Sequence, residues 1–169
     1  MTSFKPVPKT DGERFPVVLE VLQQGRLFLC ADFAIYRYLA ERGIAGARVD
    51  IRVTGSSGGK LPDHEYSDAE LADLWGVIAK LAELPWSSGN IGMQGISRSA
   101  FNALMMAMRS PPALKAILVL HGSEDLYAND VHNIDGAGRL FATGIAFSIP
   151  LIGCYRRPLP ARCRAAPKF

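Results

Sequence analysis

The sequence predicts an α/β fold, an open, doubly wound and mostly parallel sheet, and three observations carry that expectation. Short apolar or β-branched runs alternate four times with helical patterns. The stretches between successive runs are long enough for the crossovers that parallel strands require. Finally, 169 residues at 49% hydrophobic and 21% charged describe one globular domain, able to bury about two-thirds of the surface its unfolded chain exposes.

The first strand is expected at residues 17–22, after Pro16 and before the polar Gln23-Gln24-Gly25 turn. Residues 32–42 read as a helix closed by Gly43, where a left-handed cap costs glycine least. Residues 46–52 form a second strand, and the glycine- and serine-rich 53–59 a loop. Ser67-Asp68-Ala69-Glu70 has the capping-box pattern, with Ser67 accepting from the Glu70 amide and Glu70 reaching back to the Ser67 amide. Leu71, Leu74, Trp75, Ile78, Leu81 and Ala82 then form one apolar stripe, and Pro85 stops the helix. Residues 90–96 are the third strand, 99–108 a helix, and 115–121 the fourth strand after the Pro111-Pro112 break.

The net charge of +3 conceals an asymmetry. All 16 acids precede residue 156, whereas Arg156, Arg157, Arg162, Arg164 and Lys168 crowd into the last 14 residues. Residues 1–155 are therefore two charges negative, and the basicity belongs to a tail without helical or strand periodicity. No basic face or reader motif points to a nucleic-acid partner. No membrane partner is expected either, because the longest apolar stretch, 140–155, is interrupted by Thr143, Gly144, Ser148, Pro150 and Gly153. The first residues lack the apolar core of a secretion signal, so a cytoplasmic location is expected. Cys30, Cys154 and Cys163 have no metal-ligand spacing and read as reduced thiols.

Ligands of such sheets sit at the carboxyl ends of the strands. There, Gly95-Ile96-Ser97-Arg98-Ser99 nearly matches the Gly-x-Ser-x-Gly turn that lifts a nucleophilic serine above a sheet. Small residues on either side let strand and helix approach, and the helix N-terminus faces the negative charge that develops during acyl transfer. Ser97 could instead cap its helix; the strand before and helix after favour the nucleophile turn. A base and an acid should follow in the chain. His121 ends the next strand, with Glu124 and Asp125 beyond it and His132 further on, an alternative compact triad, although solvated loop residues explain these side chains more simply.

Four motifs in order, Asp50-Ile51-Arg52-Val53-Thr54-Gly55-Ser56-Ser57, Glu65-Tyr66-Ser67-Asp68, Leu84-Pro85-Trp86 running on to Gly92-Met93-Gln94-Gly95-Ile96-Ser97, and Pro111-Pro112-Ala113-Leu114-Lys115-Ala116-Ile117, resemble the X-Pro dipeptidyl-peptidase and cocaine-esterase-like (CocE/NonD) serine hydrolases. The resemblance runs from about residue 15 to 138. It implies a partial α/β-hydrolase fold that stops before the cap and last strands, with residues 1–14 as an extension and 139–169 as an irregular basic tail.

It also implies that Ser97 is the acyl-forming nucleophile, that the Arg98 amide is half of the oxyanion hole, and that an ester or a peptide bond after proline is hydrolysed without metal or organic cofactor. The sequence departs from the family at Gln23-Gln24, where a Pro-Tyr pair supplies a second oxyanion donor, and at Arg98, usually aromatic. Ser99, Ala100 and Val53 stand where glycines are usual. The stretch from Glu124 to His132 is similar to the family's exit toward a helical cap. The family's catalytic Asp and His lie beyond the chain, which is therefore expected to be a frameshifted amino-terminal remnant, weak or inactive toward a small ester or peptide. The alternative is a non-catalytic interaction module, self-associating through an uncovered sheet edge near 115–121.

Overall fold

The computed structural model describes residues 1–22, 33–55, 57–62, 64–123, 125, 129–130, 133–134 and 137–138. Gln23, Gln24, Cys30, Glu124, His132 and the tail from 139 onward lie outside the described residues. Among those described, β1 (Thr2–Phe4), β2 (Phe15–Leu22), β3 (Ala45–Asp50), β4 (Ser87–Ile96) and β5 (Leu114–Leu120) make one sheet in the order β1-β3-β2-β4-β5. The pairs β2·β3, β2·β4 and β4·β5 are parallel, and β1 runs antiparallel along β3. Three helices cross over between the strands: α1 (Phe33–Ala40), α2 (Asp68–Glu83) and α3 (Arg98–Arg109).

Strand periodicity divides the sheet into two unlike faces. Toward α2 and α3 point Phe15, Val17, Leu19 and Val21 of β2, Ala45, Ala47 and Val49 of β3, and Ile91 and Met93 of β4. They pack on Leu71, Leu74, Ile78 and Leu81 of α2 and on Ala103 and Met106 of α3, forming one continuous apolar core. The opposite face is polar at its centre. Arg48, Glu20 and Gln94 stand in register across β3, β2 and β4, and Tyr36 of α1 lies over them, stacked on Phe4 of β1 with ring centroids 4.8 Å apart.

Arg48 is fully buried and pairs with Glu20 at 3.0 Å, while the Tyr36 hydroxyl donates to the same carboxylate. Burial first, and then the Glu20 charge and its hydrogen bond, push the Tyr36 phenol far above its ordinary value.

The local signals explain most boundaries. Gly43, at φ +77°, closes α1 in a Schellman arrangement, its own amide donating to Ala40 (3.1 Å) and that of Ile44 to Leu39 (3.0 Å). Ser67 caps α2 by accepting from the Glu70 amide at 3.3 Å.

Other expectations need correction. Glu70 does not reach back to the Ser67 amide; its carboxylate accepts from the amide of Tyr66 at 3.2 Å, because it is also turned toward Arg98. Trp75 lies off the buried stripe, 40% exposed. Its position, one step past Leu74, rotates it out of the face shared by Leu71, Leu74, Ile78 and Leu81. Pro16 stands inside β2, where a register shift between Phe15 and Val17 accommodates a residue without an amide proton.

Arg52 follows β3 in a turn, and β1 was not anticipated, three residues being too short to show a period. Residues 129–130, within the 124–132 stretch expected to lead toward a helical cap, pair with 133–134, and these with 137–138, as a small antiparallel meander.

The close packing of Tyr36 on β3 depends on Gly46, because a Cβ there would stand 2.2 Å from Cδ1 of the ring. Tyr36 cannot move aside without giving up its bond to Glu20. Gly46→Ala is therefore expected to cost about 1–3 kcal/mol, read from the urea unfolding midpoint; an unchanged midpoint would show that the ring is not confined there.

Candidate active site

The site is built at the carboxyl end of β4, where the chain turns into α3 within a single residue. A Cβ on Gly95 would fall 2.3 Å from both the carbonyl carbon and Oγ of Ser99, so strand end and helix start touch backbone to backbone. To make that approach Ser97 adopts φ 56°, ψ −123°, a conformation that costs a residue with a side chain about 1–3 kcal/mol.

Hydrogen bonds hold the turn on three sides. The Ser97 amide donates to Leu120 O of β5 (3.0 Å), and its carbonyl accepts from the amides of Ala100 (2.8 Å) and Phe101 (3.1 Å). The Ser99 hydroxyl donates to Gln94 O at 3.3 Å.

Ser97 itself is exposed, and its side chain makes no cap bond to α3. Ser97 thus stands at the N-cap position of α3 without capping the helix through its side chain. Arg98, as the first residue of α3, has an amide without an acceptor inside the helix, beside the positive end of the helix dipole.

The Arg98 side chain turns away into a cage at the start of α2. One guanidinium nitrogen lies 3.1 Å from each oxygen of Glu70, the other donates to Glu65, and Cζ sits 5.2 Å from the centroid of the Tyr66 ring. Tyr66 in turn meets Phe101 of α3 edge to face at 6.0 Å. Glu70 is only 1% exposed, so this is a buried ion pair. The sequence reading missed both acids as partners of Arg98. The signal was topological: parallel crossovers begin α2 and α3 at the same edge of the sheet, so the first-turn acid of one faces the first residue of the other.

The loop after β3 lies at the same edge. Ser57 Oγ donates to Asp50 O (2.8 Å) and Thr54 Oγ1 to Ile51 O (2.9 Å), folding the loop back on the buried end of the strand. Arg52 reaches across to Asp73 and to Ala69 O of α2. Val53, where a glycine is usual in the resembling family, sits at φ 63°.

Of the alternative triad, His121 follows β5 directly, at φ 53° and exposed, one residue beyond the carbonyl that Ser97 holds. Asp125 is exposed, its amide bonded to Ser123 Oγ at 3.1 Å. Among the described residues no hydrogen bond joins Ser97, His121 and Asp125, and no group of three side chains is arranged to hold a metal ion. His132 and Gln23-Gln24 are outside the described residues.

Residues 4–162 match the model of the X-Pro dipeptidyl-peptidase (S15 family), a span that reaches past both ends of the 15–138 stretch read from the motifs. No curated protein matches the sequence. Among solved structures, the chain is similar to a CocE/NonD family hydrolase from Staphylococcus aureus, at 26% identity and TM-score 0.61, over 75% of this chain and 26% of that one. An alpha-amino acid ester hydrolase is 23% identical (TM-score 0.56) over 79% of this chain and 25% of its own. A serine hydrolase without a lid from Xanthomonas campestris is 22% identical (TM-score 0.50) over 78% of this chain and 61% of its own.

The last two likenesses bear on the fold alone, an α/β-hydrolase sheet. The chain spans about a quarter of the length of the Staphylococcus aureus hydrolase. Among the described residues no helix is long and apolar enough to cross a membrane.

The strain at Ser97 has a measurable consequence. Glycine there relieves about 1–3 kcal/mol but gives back roughly 0.5–1 kcal/mol in unfolded-chain entropy. Ser97→Gly should therefore stabilise the protein by about 1 kcal/mol, raising the thermal midpoint by a few degrees, whereas Ser97→Ala should not. A lower midpoint for the glycine variant would contradict a strained turn.

Proposed function

The chain belongs to the X-Pro dipeptidyl-peptidase (S15) family, and on that premise we propose that it is a serine hydrolase acting on esters or on peptide bonds after proline, with Ser97 as nucleophile. The observation that carries this reading is the Ser97 turn: strained, exposed, and with a side chain that the helix does not use.

In the proposed reaction Ser97 Oγ gives up its proton to a base and attacks the acyl carbon. The tetrahedral oxyanion accepts from the Arg98 amide at the head of α3. The C–O or C–N bond then breaks, the leaving alcohol or amine takes the proton, and water attacks the acyl-serine to release the acid and restore Ser97. The likeness to the CocE/NonD hydrolase supports this choice of chemistry. His121 is the described histidine best placed to approach the nucleophile, since it follows the strand bonded to Ser97; Asp125 and His132 are the remaining partners assigned to this role by proposal.

Because no side chain among the described residues bonds the Ser97 hydroxyl, the nucleophile reacts slowly. A fluorophosphonate probe is expected to place a single adduct on Ser97 over hours rather than seconds, absent from Ser97→Ala. No adduct, or an adduct elsewhere, would refute the assignment; rapid stoichiometric labelling would show a base already engaged.

A second reading, an interaction module that associates with its own copies, is favoured by one feature. Ile96, Leu118 and Leu120 are 56%, 54% and 45% exposed and share one sheet face through the Ile96↔Leu120 and Gln94↔Leu118 register. β5 is also an edge strand of the five-stranded sheet among the described residues, at the end opposite β1. Light scattering should then give a mass above that of the monomer, reduced to the monomer by Leu118→Lys. A monomer without the substitution would remove this reading.

A further inference from the structure

We propose that Glu70 is a positioning residue for the nucleophile turn: by holding the Arg98 guanidinium against the first turn of α2, it sets the orientation of the peptide that carries the Arg98 amide. The catalytic meaning of this restraint rests on the reading of Ser97 as nucleophile; the restraint itself does not.

The helix supplies that orientation only relative to its own first turn. The Arg98 N–H shares one planar peptide with Ser97 O, which accepts from the amides of Ala100 and Phe101, and where that first turn sits against α2 is set by contacts outside the helix. On one side of Arg98 lies Ser97, in a conformation that the backbone would leave if it were free to do so. On the other lies Ser99, pressed on Gly95. Arg98 is thus the joint between a strained residue and a wedged one, and its side chain is the point at which α2 grips it.

The grip is specific. Both oxygens of Glu70 lie 3.1 Å from one guanidinium nitrogen, Glu65 takes the other, and Tyr66 covers the flat face. Glu70 is fixed in its turn, accepting from the Tyr66 amide at 3.2 Å and lying 1% exposed on a capped helix. The Arg98 side chain is 13% exposed. A planar guanidinium whose two terminal nitrogens are held by two different carboxylates is constrained in direction as well as distance. Two carboxylates face one guanidinium, so little positive charge is left for a developing oxyanion, and what the pair contributes is geometry. Buried pairs are poor sources of net stability, which agrees with a positioning role rather than a stabilising one.

The test is amide hydrogen exchange on the full chain, comparing the parent with Glu70→Gln and with the double variant Glu70→Gln/Arg98→Leu. The double variant removes both charges and keeps an acceptor for the Tyr66 amide, so it holds the fold if the single variant loses it. The amides of Ala100 and Phe101 are expected to exchange about tenfold faster in both variants, while the amides of residues 17–21 are unchanged. A rise spread equally over strand and helix would mean that the pair only stabilises, and no rise at Ala100 and Phe101 would mean that it positions nothing; either result overturns the inference.

Fluorophosphonate labelling separates the two readings. If the parent chain is not labelled, the nucleophile assignment fails while exchange still decides the restraint. If it is labelled, Glu70→Gln should lower the maximal labelling rate without weakening probe binding.

Discussion

The contact between Gly95 and Ser99 is the constraint on which the rest of this arrangement depends. With no Cβ on Gly95 the end of β4 and the start of α3 meet at backbone distance, and the chain must reverse across the three residues between Gly95 and Ser99. Ser97 absorbs that reversal in its φ and ψ, which is why its side chain stands clear of the turn. The same contact brings α3 down onto the sheet, so that Ala100, Ala103 and Met106 are fully buried. Gly122, just past β5, repeats the device from the neighbouring strand, since a Cβ there would stand 3.2 Å from that of Ala100. Exposure of Ser97 and burial of the helix behind it are thus two results of one close approach.

Charge is used differently on the two faces of the sheet. On the α1 side, Glu20 takes both the Arg48 guanidinium and the Tyr36 hydroxyl, two nitrogens of Arg48 are buried without a hydrogen bond, and burial keeps the phenol protonated beside the carboxylate. On the α2–α3 side the sheet contributes the apolar core, and the buried pair Glu70–Arg98 lies at the edge where two helices begin. Desolvating either pair costs free energy that its own attraction roughly offsets. Both pairs instead fix relations that apolar packing leaves loose, the first between α1 and the strands, the second between α2 and the turn at Ser97. Farther along the α1 side, where Ile96, Leu118 and Leu120 are exposed, no such polar pairing exists among the described residues.

The parallel sheet and the tight strand-to-helix turn at Ser97 were legible because each rests on a short-range signal. Strand runs show their apolar residues directly, Gly43 and Ser67 announce helix ends through their own backbone chemistry, and the Gly95-to-Ser99 spacing states its steric need outright. What stayed hidden was long-range. Trp75 fits the spacing of the stripe as well as Leu74 does, and only the sheet beneath α2 selects between them. Glu70 carries the mark of a capping-box acid, yet an arginine 28 positions later draws its carboxylate away from Ser67. Polar residues such as Arg48 and Glu20 inside otherwise apolar strands gave no hint of each other, because their pairing depends on the strand order and register.

The departures from the family pattern at the turn differ in what they cost. Ser99 replaces a glycine, but the position that cannot bear a Cβ is Gly95, and Ser99 turns its hydroxyl to Gln94 O, where it adds a bond to the turn. Arg98 replaces an aromatic residue with another planar group, which lies against Tyr66 and requires acids that the start of α2 provides. Its contribution to an oxyanion hole would come from the backbone, so the change of side chain leaves that donor in place. Val53 is the uncompensated case, a β-branched residue held at φ 63° in a loop where glycine would be unstrained. The turn at Ser97 therefore keeps its geometry through substitution because the new side chains find partners there. The loop after β3 keeps its shape because Ser57 and Thr54 tie it to the end of the strand and Arg52 ties it to α2.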